Sequence, residues 1–246
     1  MTVQLIQGDC LIEMDKLIEA GVKVSAIIGD LPYGTTACSW DEIIPFAPMW
    51  ERVKKINKGV FVTTASQPFT SKIVMSNIKK FRYEWIWEKN NGTGGMNANK
   101  MPLKIHENIL TFYDHLPVYN PQFSKGNPYK IKRDKPKEKS VYGKTGTKDN
   151  FISENKGVRF PTTILYFDTQ NETDHPTEKP VALYEYLIRT YTNEGDTVLD
   201  FTCGSGTTGV ACVNTNRNCI LIDKDQHWID VATKRVKDAQ QQMRLF

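Results

Sequence analysis

Short apolar runs alternate along the chain with stretches whose apolar residues recur every three or four positions. Residues 3–7 open as a strand, and Leu11, Met14, Leu17 and Ile18 then follow at helical spacing until Gly21. Residues 24–28 are almost wholly apolar, the pattern of a strand covered on both faces. The spacing predicts a helix over 51–57, a break at Gly59 and a strand over 60–64. A helix over 71–78 is expected next, with strands at 83–87 and 109–113. From Asn90 to Gly157 no period persists and Gly, Asn, Pro and Lys dominate, which reads as an insertion. Order resumes with a strand at 163–167. Val181, Tyr184, Leu187, Ile188 and Tyr191 then mark one face of a helix that starts near Pro180, with Gly195 as its stop. A strand at 197–201, a helix at 207–213, a strand at 219–222 and a helix over about 226–240 complete the pattern. Strands alternating with helices predict an α/β fold on a mostly parallel sheet. Ligands of such sheets sit beyond the carboxyl ends of the strands, where Asp30 falls.

The 246 residues suit one α/β domain with an insertion, or two small domains. No stretch is apolar for long enough to cross a bilayer. The first residues lack the basic start and apolar run of a signal peptide, so a cytosolic chain is expected. The five cysteines form no C-x-x-C pair and the four histidines are scattered, so no structural metal or disulfide framework is expected. Net charge is +4, and its distribution matters more than its size. Lys125, Lys130, Lys132, Arg133, Lys135, Lys137, Lys139, Lys144 and Lys148 face only Asp134 and Glu138 in the same stretch. Such a run is either a solvated insert or a phosphate-binding segment.

Two strand ends carry chemistry. Gly204-Ser205-Gly206-Thr207-Thr208-Gly209 matches G-x-G-x-x-G between a strand and a helix, and Asp223 ends the next strand, where a ribose-binding acid belongs. A purely structural loop has the same glycines. A dinucleotide site would need a second mononucleotide half, and only one helix follows Asp223. No Gly-Lys-Ser/Thr closes the run as a phosphate-binding P-loop requires. One mononucleotide-like ligand, completed by Asp30 to Tyr33, fits better.

Asp30-Leu31-Pro32-Tyr33 resembles the D-P-P-Y signature of DNA amino-methyltransferases, and Asp200-Phe201-Thr202-Cys203-Gly204-Ser205-Gly206 resembles their D-x-F-x-G-x-G loop for S-adenosylmethionine. His175-Pro176-Thr177-Glu178-Lys179-Pro180 is similar to the H-P-T-x-K-P segment of the β-type enzymes. Gly8-Asp9-Cys10, Gln67-Pro68-Phe69 and His106-Glu107 are similar to lesser motifs of that type. The resemblance spans the chain outside about 120–157 and has the β-type order: catalytic loop, recognition region, cofactor loop.

The resemblance implies a Rossmann-like, S-adenosylmethionine-dependent methyltransferase fold with circularly permuted motifs and an inserted target-recognition region. Residues 1–119 would be the catalytic half, 120–157 the basic recognition insert and 158–246 the cofactor-binding half. The implied reaction is methylation of adenine N6 in DNA. Its nearest rivals are cytosine N4 methylation, for which serine is more usual at the first signature position, and a catalytically silent DNA-binding protein. The Asp30 carboxylate and Leu31 carbonyl would hold the amine of a flipped-out base, Pro32 would keep Leu31 extended, and Tyr33 would offer a stacking face. Leu31 departs from the family's first proline. The same resemblance assigns Asp223 to the ribose of the cofactor, Asp9 and Cys10 to its adenine, and Thr177 and Lys179 to its amino acid end. Asp200, Phe201, Gly204, Gly206 and Thr207 belong to its loop. Lys125, Lys130, Lys132, Arg133 and Lys135 are the expected DNA contacts, and a homodimer is expected by resemblance alone. Trp85, Trp87 and Phe112 read as core. The permuted order places strand 219–222 between strands 197–201 and 3–7.

Overall fold

The computed structural model describes residues 1–36, 38, 40–132, 152–169 and 178–243. In chain order the elements are β1 (Val3–Gln7), α1 (Cys10–Glu19), β2 (Val24–Asp30), α2 (Phe46–Ile56), β3 (Asn57–Ala65) and α3 (Phe69–Ser76). There follow β4 (Phe81–Thr93), β5 (Lys104–Phe112), β6 (Ser124–Lys125), β7 (Tyr129–Lys132), β8 (Ile152–Asn155), β9 (Val158–Arg159) and β10 (Ile164–Tyr166). The last five are α4 (Val181–Tyr191), β11 (Thr197–Asp200), α5 (Thr207–Asn214), β12 (Asn218–Asp223) and α6 (Gln226–Met243). The chain divides into two compact units, Met1–Asn120 with Thr163–Phe246, and Pro121–Thr162.

The larger unit carries an eight-stranded sheet in the order β1-β12-β11-β2-β3-β5-β4-β10. β12 lies between β1 and β11 and is parallel to both, as the permuted order requires, with Leu5 opposite Leu221 and Leu199 opposite Ile220. Only β5 runs against its neighbours β3 and β4.

Two apolar layers cover this sheet, and successive strand residues divide between them. Ala26 and Ile28 of β2, Val60 and Val62 of β3 and Leu221 of β12 join one layer with α4 residues Leu183, Leu187 and Ile188. Ile27, Phe61, Ile220 and Ile222 join the other with Met14 and Leu17 of α1 and Met49, Val53 and Ile56 of α2. Burial on both faces is why these strands read as continuous apolar runs rather than alternating ones. Trp85, Trp87 and Phe112 are buried.

Several boundaries differ from those expected. Helix α2 begins at Phe46, not Glu51, because Pro48 sits in the first turn, where its missing N–H costs no hydrogen bond. Gly59 does not break the chain; it lies inside β3, where a Cβ would collide with the carbonyl oxygen of Ser25 on the neighbouring strand. α3 starts at Phe69, two residues before the expected helix. β4 and β5 extend well into the stretch that reads as aperiodic. Their outer residues are exposed on both faces, so no alternation marks them.

Among its described residues the smaller unit holds two antiparallel pairs, β6 with β9 and β7 with β8. Within it Phe123 meets Phe160 edge-on at 4.9 Å between centroids, and the Arg159 guanidinium lies 4.9 Å from the centre of the Tyr129 ring. No helix among the described residues is long and apolar enough to cross a membrane.

Candidate active site

The carboxyl ends of β1, β2, β11 and β12 open into one cavity of about 760 Å³. It is lined by Asp9 and Cys10, by Asp30, Leu31, Pro32 and Tyr33, by Lys179, by Asp200, Phe201, Gly204 and Thr207, and by Asp223. Residues at opposite ends of the chain meet because β12 pairs with β1, and the Gly8 N–H donates to the Asp223 carbonyl at 2.9 Å.

At one end of the cavity Asp30 ends β2. Its Oδ1 accepts from the Tyr33 hydroxyl at 2.7 Å and from the Thr64 hydroxyl on β3. Its Oδ2 accepts from Lys179 Nζ at 2.6 Å. A carboxylate has about four lone-pair sites, so Oδ2 keeps capacity for one further donor. Lys179 also stands 3.6 Å from Glu107 Oε2, and Glu107 pairs with Lys89 through its other oxygen. Burial lowers the affinity of Lys179 for its proton, but Asp30 and Glu107 outweigh it and hold its pKa above the ordinary lysine value. Burial likewise pushes Glu107 up, and Lys179 and Lys89 reverse this and hold it below the usual carboxylate value. Asp30, Lys179, Glu107 and Lys89 thus form two acids and two bases in alternation. Tyr33 has one phenolic proton, which goes to Asp30, so Glu107 Oε2 at 3.4 Å is a contact only. Burial, then Asp30 and Glu107, raise the Tyr33 pKa well above its usual value, so the ring stays neutral and donating.

The chain beyond Tyr33 is fixed by buried Asp41. Its carboxylate accepts three backbone N–H groups, from Gly34 at 2.8 Å, Thr35 at 2.8 Å and Thr36 at 2.7 Å. Burial raises the Asp41 pKa, but these bonds hold it below the usual carboxylate value. One side of Tyr33 stacks on Phe69, with centroids 5.1 Å apart and planes 23° from parallel. Leu31 is buried in the same apolar layer as Phe69, which gives the side chain that replaces the family's proline a packing role.

At the other end the glycine loop is shaped by hydrogen bonds to its own carboxylates. The Gly204 N–H donates to Asp223 Oδ2 at 2.9 Å, and Thr208 and the Thr202 N–H donate to Asp200 at 2.5 and 3.1 Å. Gly206 has φ of +83°, and a Cβ there would stand 2.6 Å from that of Ala232 on α6. Glu178 ties the loop to α6, accepting from Ser205 at 2.7 Å and from both terminal nitrogens of Arg235 at 2.9 and 2.7 Å. The Thr202 hydroxyl donates to the Asp30 carbonyl at 3.0 Å and so joins the two ends. Asp9 caps α1, accepting from the N–H groups of Leu11 and Ile12 at 2.9 and 3.1 Å. Burial, with Asp9 beside it, pushes the Cys10 thiol up to about 11, and burial raises Cys203 well above its usual value, so both are inert thiols.

An acid-and-ring clamp beside a glycine loop is the arrangement that the two sequence motifs predict. The family model described as DNA methylase, of the N6/N4 type, matches residues 24–234. The chain belongs to this family. Type II methyltransferase M.HpaI of Haemophilus parainfluenzae is 28% identical over 251 residues, covering 96% of this chain and 74% of the relative. Among solved structures, the M1.HpyAVI–SAM complex superposes with a TM-score of 0.66 at 25% identity, covering 95% of this chain and 100% of that one. The cytosine-N4-specific PvuII DNA methyltransferase shares the fold, with a TM-score of 0.62 at 14% identity over 99% of this chain and 93% of that one.

Within this DNA methylase the cavity gathers every described site residue expected from sequence in the larger unit except Gly206, the cap of α5. Thr177 lies outside the described residues, as do Arg133 and Lys135. Lys125, Lys130 and Lys132 are exposed on β6 and β7 of the smaller unit, and Lys130 lies 3.6 Å from Glu154. Lys179, expected at the amino acid end of a cofactor, lines the cavity and is in contact with Asp30. Thr64, Lys89 and Glu107 also stand at the site, although sequence reasoning gave them no role. The one signal was the pair His106-Glu107, matched as a minor motif.

Proposed function

We propose that this DNA methylase transfers a methyl group to the exocyclic amine of adenine, at N6, in duplex DNA. The observation that carries this reading is the Asp30 carboxylate, fixed by Lys179 at 2.6 Å and Tyr33 at 2.7 Å in the same cavity as Gly204 and Asp223.

The cofactor is S-adenosylmethionine. The cavity suits it, because Asp223 and Asp9 bring carboxylates to where hydroxyl and amine donors need acceptors, and the glycine loop leaves the backbone accessible. Asp223, Asp9, Cys10, Phe201 and Gly204 would hold it, and when bound it supplies an electrophilic sulfonium methyl. The remaining work falls to the protein. An aromatic amine is a poor nucleophile because its lone pair is delocalised into the ring. Asp30 Oδ2 accepts one N–H of the amine, and the Leu31 carbonyl is assigned the other. Two acceptors favour a pyramidal nitrogen whose lone pair is free. This is catalysis by positioning and fixed charge. Lys179 keeps the Asp30 oxygens in place, and Glu107 and Lys89 balance its charge. A base inside the duplex is out of reach of this floor, so the target must leave the stack. Tyr33, supported from behind by Phe69, is the ring it meets.

Aspartate at position 30 favours adenine. Incubating unmethylated DNA with the protein and S-adenosylmethionine, then separating the nucleosides, tests the reading. N6-methyladenine is expected. N4-methylcytosine would move the target to the rival base, and no modified nucleoside would make the protein catalytically silent.

A further inference from the structure

β4 continues six residues beyond Trp87, to Thr93, and the ladder with β5 closes where Thr93 pairs with Lys104. The ladder shifts register between Glu88 and Thr93, and Trp87, Lys89, Asn91 and Thr93 all line the cavity that holds Asp30, together with Lys104 and Glu107. The ribbon is the outer wall of the cavity.

Its tip, 94–103, carries a different chemistry. Met96 is fully exposed, at 101%, and Met101 is 57% exposed. Gly94 has φ of +93°, and neither Gly94 nor Gly95 has anything within 4 Å of an added Cβ. From Lys89 to His106 the chain contains Lys89, Lys100 and Lys104 and no aspartate or glutamate. Asn90, Asn91, Asn97 and Asn99 add amides that both donate and accept. Flexible apolar side chains thus project from a lysine-bearing tip whose acid-free stretch ends at Glu88 and Glu107, next to the base cavity.

We propose that the ribbon tip is a wedge for duplex DNA: Met96 and Met101 fill the gap left in the base stack while the target base lies against the ribbon's inner face. The partner is duplex DNA because three observations coincide. From Asn90 to His106 the chain carries Lys100 and Lys104 and no acid, a charge that complements phosphates, while Lys89 is paired with Glu107. Unbranched thioethers conform to base faces, and apolar wedges are the side chains that offset unstacking. Thr93 and Lys104, at the base of the tip, also line the same cavity as Asp30. This inference rests on the methyltransferase reading.

The test uses the full chain and a duplex bearing the site mapped from its own modification products, with 2-aminopurine at the target position. A Met96→Ala/Met101→Ala variant that binds S-adenosylmethionine normally reports an intact fold. On paired duplex its 2-aminopurine emission rise should largely vanish. On the natural duplex its single-turnover rate should fall about tenfold, and the rate should return to near wild type when the target faces an abasic position, where no base pair opposes extrusion. Unchanged emission and rate on paired duplex would overturn the wedge, as would an equal loss on both duplexes. A rate loss that tracks conversion of a dimer to a monomer in sedimentation would also overturn it, by assigning the tip to a second copy of the chain. If the double variant loses S-adenosylmethionine binding, Met96→Ser at the fully exposed position carries the same test. A wild-type chain that methylates no DNA defeats the enzyme reading itself; normal wild-type turnover with an unaffected variant defeats the wedge alone.

Discussion

Asp30 is held by three side chains from three parts of the chain, and removing them separates roles that the resemblance leaves merged. Asp30→Ala should lower single-turnover methyl transfer by roughly a thousandfold, while the Kd for S-adenosylmethionine stays within about twofold. Substantial residual turnover would end its assignment as the amine acceptor. Lys179→Met discriminates more sharply. If Lys179 acts through Asp30, the variant loses about a hundredfold in kcat with the cofactor Kd unchanged, and Lys179→Arg recovers part of it. If it serves the amino acid end of the cofactor, Kd rises first and kcat at saturation is spared. The two assignments differ because local motifs record neighbours in sequence. Asp30, Pro32 and Tyr33 are contiguous and were legible. The ion pair from Lys179 spans 149 residues, and Thr64 and Glu107 come from strands whose pattern reports only burial.

At the scale of elements, the glycine loop makes two further predictions. Gly206 caps α5 with φ of +83° and would press a Cβ against Ala232 on α6, so Gly206→Val should raise the S-adenosylmethionine Kd at least tenfold before it affects kcat. Isothermal titration checks this, and an unchanged Kd would show that the loop yields without cost. Asp200 offers a pH readout. Burial, reinforced by Asp30 and Asp223 and opposed by the bonds from Thr208 and Thr202, pushes it up to about 7. An unfolded aspartate titrates near 3.9. Below that value both states are protonated and the folded state is at its most favoured. Between about pH 4 and pH 7 only the unfolded chain gives up the proton, so the Asp200 contribution to stability falls as pH rises. It levels off above pH 7. The stability of the wild type minus that of Asp200→Asn should therefore decline across this window, by up to about 1.4 kcal/mol per pH unit, in urea melts. A rise with pH would mean that the charged carboxylate is the favoured folded form. Elements buried on one or both faces were legible because burial sets their period. Those that escape it were not: the first turn of α2 hides behind Pro48, and the outer ribbon of β4 and β5 has no buried face to mark its strands.

For the molecule as a whole, motif order proved the most informative feature. A glycine loop late in the chain and an acid loop early in it specify that β12 must lie beside β1, and the sheet brings Gly8 and Asp223 together accordingly. The small sheets of the inserted unit were not foreseen, because β6 to β9 are two to four residues long and largely exposed. What the unit shares with its sequence is charge. Lys125 and Lys132 are exposed, and Lys130 faces Glu154 at 3.6 Å in an exposed pair that contributes little to stability. If these lysines contact phosphates, each contact releases condensed counterion and adds about 0.9 to the slope of log affinity against log salt. Replacing all three by alanine should flatten that slope by up to about 2.7 on every DNA sequence alike, with the S-adenosylmethionine Kd unmoved. Lys130→Ala alone should change affinity less than Lys132→Ala, because phosphate must compete with Glu154 for Lys130. Fluorescence anisotropy over a salt series measures both quantities. An unaltered slope in the triple variant would make the unit a solvated insertion and leave DNA binding to the cavity side of the larger unit.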